Sequence, residues 1–343
     1  MRRRSQGFIG VDFGGTFIKA GLVGKNLKIK SFSEASIPPK ASQKQVSDII
    51  IGLVDHIKEK NNLKKIKAVC VACAGPVNSS KGIIKVAPNF THWQGKSFHL
   101  GKVLTLKFKT HVQLENDTTA ASVAEFHSRK KSKITSLVSL TLGTGIGGGV
   151  VVDGKPLRGL NWLGGEIGHV PILSSSPSPQ VLSPQGRGGI RRNANIQGGK
   201  YKRRKCVCGN KGCAETLGSA TALVKRFKEL AQNHSLNLTA QTIAEKAIEE
   251  EPLAQQVFNE VGTSLGLLIA IICNILDPDV VVIGGGMSRA HKLFMPALKK
   301  KFSEHAFMHP LRKKNPIEIS KLNKTAGLLG AVLCTQKLGG FKK

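Results

Sequence analysis

Three cysteines on one short loop form the densest group of metal-binding side chains in this sequence. Cys206, Cys208 and Cys213 lie within eight residues, and His169 lies upstream in the segment GEIGH. Three thiolates and one imidazole make a closed tetrahedral zinc site, which is structural because no coordination position is open for a substrate. Such a zinc ion would fix the loop and hold His169 in one orientation. The alternative is three buried free cysteines, which this spacing disfavours.

Two glycine-rich segments could bind phosphate. Residues 12–16 (DFGGT) lie between two predicted strands, and a longer glycine run covers residues 143–149. Glycine has no Cβ, so the backbone can approach a phosphate and direct N–H groups at its oxygens. Thr16 adds a hydroxyl donor, and Asp12 can bind the Mg²⁺ that nucleotide phosphoryl transfer requires. A plain glycine hairpin would explain either segment alone, whereas two such turns could hold a polyphosphate from both sides.

The segment Glu115-Asn116-Asp117 supplies a candidate catalytic base. It ends a predicted strand where the second half of the chain begins, which in a two-domain protein is the mouth of the cleft. A hydroxyl group is a poor nucleophile, so phosphoryl transfer to a hydroxyl acceptor needs a carboxylate that accepts its proton and orients it. Asp117 is the candidate, with Asn116 as a hydroxyl partner. The alternative is that these residues only cap the helix that follows.

Alternating strands and helices must position these groups. A strand, a glycine turn and a second strand occur at residues 8–23 and recur at residues 136–152. This repetition predicts two related α/β halves. The predicted strands are 8–12, 17–23, 67–72, 112–114, 136–142, 150–152 and 280–283, and the predicted helices are 42–60, 118–127, 219–230, 239–250 and 252–276.

The net charge is strongly positive. Fifty-two Lys and Arg residues against 21 Asp and Glu residues give +31, which attracts nucleic acid, membrane lipid or phosphate-rich substrates. The charges are spread along the chain except in residues 174–205, a predicted loop with eight Lys or Arg and no acid. An aromatic content of 5% is too low for a base-stacking platform. We therefore expect a basic solvated surface without a specific nucleic-acid partner, and a loop that is either inert or attracts an anionic donor.

Apolar patterning and cysteine content bear on localisation. The longest apolar run, Leu265–Leu276, is shorter than the ~18–20 residues that cross a bilayer and is typical of a buried helix. Seven cysteines, an odd number, indicate a reducing compartment. Cys70 and Cys73 lie three apart in a predicted strand and should be core thiols on opposite faces. We expect a cytoplasmic protein with no membrane partner.

These segments together resemble the ROK family of bacterial glucokinases, related hexose and N-acetylhexosamine kinases, and sugar-responsive repressors. The most specific matches are LGTGIGGGVVVDG, LRG, N and LGGEIGH in residues 142–169, and CxCGxxGCxE in residues 206–215. The resemblance implies an actin-like, ribonuclease H-like fold of two α/β domains around a cleft. We expect domains at 1–118 and 119–324, with a C-terminal helix at 325–343 packing back on the first.

The resemblance also implies a role for each motif residue. Asp117 would be the catalytic base. ATP would be the phosphoryl donor, and Asp12 would bind its Mg²⁺. Sugar hydroxyls would be bound by Asn89, Asn116, Asp117, Glu166, His169 and Glu215, and structural zinc by His169, Cys206, Cys208 and Cys213. ATP would be bound by Asp12, Gly14, Gly15, Thr16, Gly143, Thr144, Gly145, Gly147 and Gly148, with Gly284 and Gly285 against the adenosine.

The expected function is ATP-dependent phosphorylation of a hexose, glucose to glucose 6-phosphate, by a homodimer or homotetramer. Open alternatives are an N-acetylhexosamine or fructose kinase, a polyphosphate-dependent glucokinase, and a sugar-sensing regulator without catalysis. Three departures from the family pattern matter: Thr118-Thr119 in place of smaller residues, the long basic insert, and only eleven residues before Asp12. The last leads us to expect no N-terminal helix-turn-helix domain of the kind that repressor members carry.

Overall fold

Two five-stranded sheets organise the protein. The computed structural model describes residues 6–24, 26–129, 132–172, 204–235, 237–308, 317–322 and 325–335. The first sheet has the order β3-β2-β1-β4-β7 and the second has the order β10-β9-β8-β11-β12. The strands of the first sheet are β1 (Gln6–Phe13), β2 (Phe17–Val23), β3 (Ile29–Ser36), β4 (Lys65–Cys73) and β7 (His111–Asn116). A separate small hairpin consists of β5 (Val77–Asn78) and β6 (Ile83–Ile84). The strands of the second are β8 (Leu137–Leu142), β9 (Ile146–Val152), β10 (Lys155–Pro156), β11 (Val281–Gly284) and β12 (Ile317–Ile319).

The two sheets have the same pairing pattern. In each, the first strand pairs antiparallel with its hairpin partner and parallel with a strand on its other side. The next strands outward repeat this correspondence, antiparallel on the hairpin side and parallel on the other. The prediction of two related α/β halves, made from the repeated strand–glycine turn–strand unit, is thus supported by the topology. The boundary between domains at residue 118 stays a prediction.

Helices cover these sheets. They are α1 (Gln43–Lys60), α2 (Leu100–Phe108), α3 (Asp117–Ser128), α4 (Glu215–Gly218), α5 (Ala220–Leu230), α6 (Ala240–Ile248), α7 (Pro252–Leu276), α8 (His291–His305) and α9 (Ala326–Leu333). Helix α1 begins at a capping box, in which Ser42 and Gln45 satisfy each other's backbone N–H groups. Its buried side chains recur at helical spacing and pack on the first sheet.

Helix α7 is the central core helix of the second half. It begins with Pro252 at its first turn, contacts α4, α5, α6 and α8, and contributes Leu265, Leu268 and Ile269 to the largest hydrophobic cluster. Among the described residues it is the one helix long and apolar enough to span a membrane, and half of its most apolar window is buried inside the protein. Residues 265–273 of the apolar run are buried or half-buried, as predicted, whereas Asn274, Ile275 and Leu276 at the end of the helix are exposed.

The last described helix packs back on the first sheet. Helix α9 contacts β1, β4 and α3, and Leu328, Ala331 and Val332 share a buried cluster with Phe8, Ala68 and Cys70. The described part of this helix ends at Leu333, and the remainder of the predicted 325–343 helix lies largely outside the described residues. Cys70 and Cys73 are both fully buried, in different clusters on the two faces of β4.

Some expectations differ from the structure. The predicted turn at residues 143–149 is shorter, because Ile146–Gly149 belong to β9. Eight described elements have no predicted counterpart, namely the strands β3, β5, β6, β10 and β12 and the helices α2, α4 and α8. Among them, β3 has polar residues on both faces, α2 lacks a side-chain N-cap, and α8 contains Pro296. Most of the basic insert lies outside the described residues. Arg204 is among the described residues, and its Nη2 lies 2.6 Å from Glu229 Oε2, so this cation is paired.

Candidate active site

The β1–β2 turn lies at one end of the first sheet. Gly14 N donates to Phe17 O at 3.1 Å, which leaves Gly15 and Thr16 exposed at the tip. Asp12 faces Lys19 across the two strands, with 3.9 Å between Oδ2 and Nζ. Burial raises the pKa of Asp12, and the Lys19 ammonium opposes this shift. The turn thus presents free backbone groups and a hydroxyl beside a half-buried carboxylate.

The β8–β9 turn is the equivalent feature of the second sheet. Gly143 N donates to Gly145 O at 3.0 Å, and Ala220 N at the start of α5 donates to Gly143 O at 2.9 Å. Thr144 is exposed and lines a cavity of about 450 Å³ together with Val224, Lys225 and Lys228. This turn therefore offers a hydroxyl and two nearby ammonium groups to an anion.

Two glycines assigned to this turn lie in the strand instead. A Cβ on Gly147 would collide with the Thr118 side chain, and one on Gly148 would collide with Gly165 O. Close packing of β9 against the start of α3 and against the loop before Glu166 explains both glycines without a phosphate. Their contact with ATP, like that of Gly143, Thr144 and Gly145, stays a prediction.

Asp117 is the first residue of α3. The N-cap of this helix is Asn116, whose Oδ1 accepts from Thr119 N at 2.9 Å and from Thr118 Oγ1 at 2.7 Å. Asn116 therefore caps α3, as the alternative expected, and its contact with sugar stays a prediction. Asp117 Oδ1 accepts from Thr118 N at 2.8 Å and from Asn116 Nδ2 at 3.2 Å. These bonds fix the carboxylate through one oxygen.

The environment of Asp117 suits a general base. The pKa of Asp117 is raised to about 6, first because the group is buried and further because the Asp12 and Glu166 carboxylates lie nearby, while the Thr118 N–H opposes the shift. A cavity of about 240 Å³ is lined by Asp12, Lys19, Asp117, Gly284 and Gly285, among others. The candidate Mg²⁺ ligand, the candidate base and the candidate adenosine turn therefore meet in one space.

The four predicted zinc ligands come together. The ligand atoms of His169, Cys206, Cys208 and Cys213 all lie within 4.8 Å of one another. Cys208 Sγ and Cys213 Sγ are 3.7 Å apart, and Cys206 Sγ is 3.4 Å from His169 Nδ1. Tetrahedral bonds of ~2.3 Å to sulfur and ~2.0 Å to nitrogen would require ~3.8 and ~3.6 Å. The residues fit a zinc ion, whose binding stays a prediction.

Two carboxylates connect this cluster with the rest of the site. His169 Nε2 lies 3.9 Å from Glu166 Oε2, on the side of the ring away from the thiols. Glu215 Oε1 accepts from Cys206 Sγ at 3.1 Å, and Glu215 Oε2 accepts from Ile146 N at 3.3 Å. Glu215 therefore links the thiol cluster to the β8–β9 turn, a position that sequence spacing did not reveal.

Asn89 lies against the β1–β2 turn. A Cβ on Gly15 would come within 2.9 Å of the Asn89 amide. The following residues are anchored by stacked rings, since Phe90 lies 4.5 Å from Trp93 and 5.4 Å from Phe13, centroid to centroid. The segment predicted to contact sugar is therefore held beside the predicted phosphate turn.

Lys19 is a site residue that the motifs did not suggest. Its position opposite Asp12 follows from strand register, and period-two alternation in residues 17–23 would have predicted that it shares a face with the carboxylate. Among the described residues that line the 240 Å³ cavity, it is the one cation.

Comparison with known proteins identifies a family and individual proteins that this chain resembles. The ROK family profile matches residues 8–337. The chain is 28% identical over 345 residues to the glucokinase of Thermotoga maritima, covering 97% of this chain and 98% of that protein. It is 24% identical to the xylose repressor of Caldicellulosiruptor bescii, covering 94% of this chain and 76% of the repressor.

A solved structure agrees with these sequence matches. A ROK family glucokinase from Streptomyces griseus, in complex with glucose and AMPPNP, superposes with a TM-score of 0.74 at 26% identity, covering 96% of this chain and 99% of that one. The predicted actin-like fold of two α/β units is thereby confirmed. With a family profile that spans nearly all of the sequence and a fold that matches throughout, this chain belongs to the ROK family.

Proposed function

We propose that this protein is a cytoplasmic sugar kinase that transfers the γ-phosphoryl group of ATP to a hexose, with glucose as the preferred acceptor. The observation that carries the proposal is the single cavity lined by Asp12, Asp117, Gly284 and Gly285. A carboxylate whose pKa is raised to about 6 is ionised near pH 7 yet basic enough to accept a hydroxyl proton. The similarity to glucokinases supports glucose among the possible hexoses.

The proposed reaction is one displacement at phosphorus. Asp117 accepts the proton of the sugar 6-hydroxyl as its oxygen bonds to the γ-phosphorus, and the bond to the β–γ bridging oxygen breaks, releasing ADP. Mg²⁺ held near Asp12 would neutralise charge on the phosphate oxygens. The exposed N–H groups and hydroxyls of Gly15, Thr16 and Thr144 are suited to position the donor.

The sugar is proposed to bind between the two halves. Asn89 beside Gly15, and Glu166 beside His169, offer amide and carboxylate groups to its hydroxyls. Asn116 already uses its Oδ1 as the helix cap, and its Nδ2 donates to Gly75 O at 3.2 Å and to Asp117. Its role is therefore proposed to be orientation of Asp117 together with any contact to sugar.

The competing function is a sugar sensor without catalysis, which the similarity to a xylose repressor keeps in view. Formation of sugar phosphate should be measured with glucose, N-acetylglucosamine, N-acetylmannosamine and fructose, first with ATP and then with polyphosphate as the donor. A kinase gives product with at least one sugar, and glucose with ATP should have the highest kcat/KM. Binding of sugar with no product from any combination would support the sensor and contradict the proposal.

A further inference from the structure

One ion pair between a buried carboxylate and a half-buried guanidinium joins the two halves of the cleft. Glu115 at the end of β7 is only 2% exposed, and its Oε2 accepts from Arg158 Nε at 2.9 Å and from Arg158 Nη2 at 2.6 Å. Arg158 follows β10 of the second sheet, whereas β7 belongs to the first. The pair therefore spans the space between the sheets.

The Glu115 end of the pair supports the candidate base. Glu115 Oε1 accepts from the backbone N of Asn116 at 3.2 Å and from Ser79 Oγ at 3.0 Å. The carboxylate thus holds the backbone that leads directly into Asp117. Both oxygens of Glu115 are therefore engaged within the protein.

The Arg158 end supports the loop that carries Glu166. Arg158 O accepts from Gly164 N at 2.8 Å, which closes residues 158–164 into a compact turn. A Cβ on Gly164 would come within 2.8 Å of the Arg158 backbone, so this closure is tight. The turn continues into Gly165, at φ 92°, and then Glu166. Displacement of Arg158 would therefore move the loop that leads to Glu166 and His169.

We propose that Arg158 is a positioning residue that fixes the Glu166 loop relative to Asp117, so that both act on one bound sugar. This inference rests on the proposed function, because it assigns the loop to sugar binding. Stability alone is a weaker explanation, since replacing both charges of a buried ion pair by neutral groups is often harmless to folding. A bidentate guanidinium fixes both distance and orientation, which positioning requires.

The test uses a double variant, Glu115→Gln with Arg158→Met, because loss of one partner alone would leave a buried charge and could unfold the protein. A matched control is Arg226→Met with Glu260→Gln, a bidentate pair between α5 and α7 with distances of 2.7 and 3.1 Å. Thermal unfolding, kinetics and amide hydrogen exchange of residues 157–166 would be measured for wild type, double variant, control and Arg158→Lys.

We expect the double variant to unfold within a few degrees of wild type but to show ~10–100-fold lower kcat/KM for the sugar. KM for ATP should change less than twofold, and exchange of the 157–166 amides should accelerate. Arg158→Lys should be intermediate, and the control should match wild type in sugar kinetics. The proposal would be overturned if the folded double variant had the amide exchange rates and the sugar kinetics of wild type. It would also be overturned if the variant used ATP as much less efficiently as it used the sugar. An inactive wild type would instead count against the proposed function, and the exchange rates would still test the loop.

Discussion

Replacement of Asp117 by Asn tests the chemical centre of the site. The amide has the same shape, and its carbonyl oxygen can still accept from Thr118 N and Asn116 Nδ2. Sugar affinity should therefore persist, whereas kcat should fall by ~10²–10⁴ because a positioned base is lost. The matched control is Asp153→Asn, an exposed residue of the β9–β10 turn at φ 50°, a conformation that asparagine tolerates.

The raised pKa of Asp117 predicts a pH dependence of activity. With a pKa of about 6, the carboxylate is about one-tenth ionised at pH 5 and about nine-tenths ionised at pH 7. Wild-type kcat/KM for the sugar should therefore rise about tenfold over this interval and level off above it. The Asn variant should lack this rise, since residue 117 no longer titrates.

The raised pKa also predicts that Asp117→Asn, although less active than wild type, is more stable against unfolding. A pKa raised from 3.8 to about 6 corresponds to about 3 kcal/mol at 1.36 kcal/mol per unit. The folded protein binds more protons than the unfolded chain between these pH values, so stability falls as pH rises from about 4 to about 6. Asp117→Asn should thus be more stable than wild type by up to about 3 kcal/mol at pH 8 and equal to it near pH 4, by urea unfolding.

A variant within a few-fold of wild-type kcat would remove Asp117 from the mechanism. A wild-type profile that is flat between pH 5 and 7 would show that the base is not this buried carboxylate. Unchanged stability at pH 8 would contradict the burial argument independently of catalysis.

Two further predictions concern the metal cluster and the helix contacts. Purified protein should contain about one zinc per chain, and Cys208→Ser should lose the metal and weaken sugar binding more than ATP binding, by metal analysis and calorimetry; active protein without zinc would refute the site. Gly330→Ala should lower the free energy of unfolding by about 1–3 kcal/mol, because the new methyl would collide with Ala120 O of α3. Its control, Gly52→Ala in α1, meets no atom within 4 Å and should stabilise by about 1 kcal/mol; equal effects of the two changes on urea unfolding would refute the packing argument.

Local sequence predicted much of the fold because several elements carry their own signals. Helix α7 runs over Pro252–Leu276, as predicted, since proline begins it and Pro278 follows it. Strand β2 has the predicted bounds, Phe17–Val23, because a glycine turn fixes one end and apolar residues continue to the other. The cluster of candidate metal ligands was predictable because three of the four residues lie within one short loop.

Other elements depend on contacts that local sequence does not contain. Ile146–Gly149 resemble a turn in composition, but they form a strand because they pair with residues 139–142 of β8. Thr118 and Gly165 pack where the side chains at 147 and 148 would be, which requires glycine there. Helix α8 forms despite Pro296, with Phe294, Leu298 and Phe302 buried in the core. In both cases packing outweighs backbone propensity.

The sequence by itself determined the two related halves, the candidate base and the candidate metal ligands, because each is encoded by residue types at short spacing. Only the tertiary structure decided that Asp117 has a pKa of about 6, that Glu215 joins the thiol cluster to the β8–β9 turn, and that Arg158 meets Glu115. The physical reason is that burial, charge and hydrogen bonding act between neighbours in space, and these neighbours lie on different strands and loops of the chain.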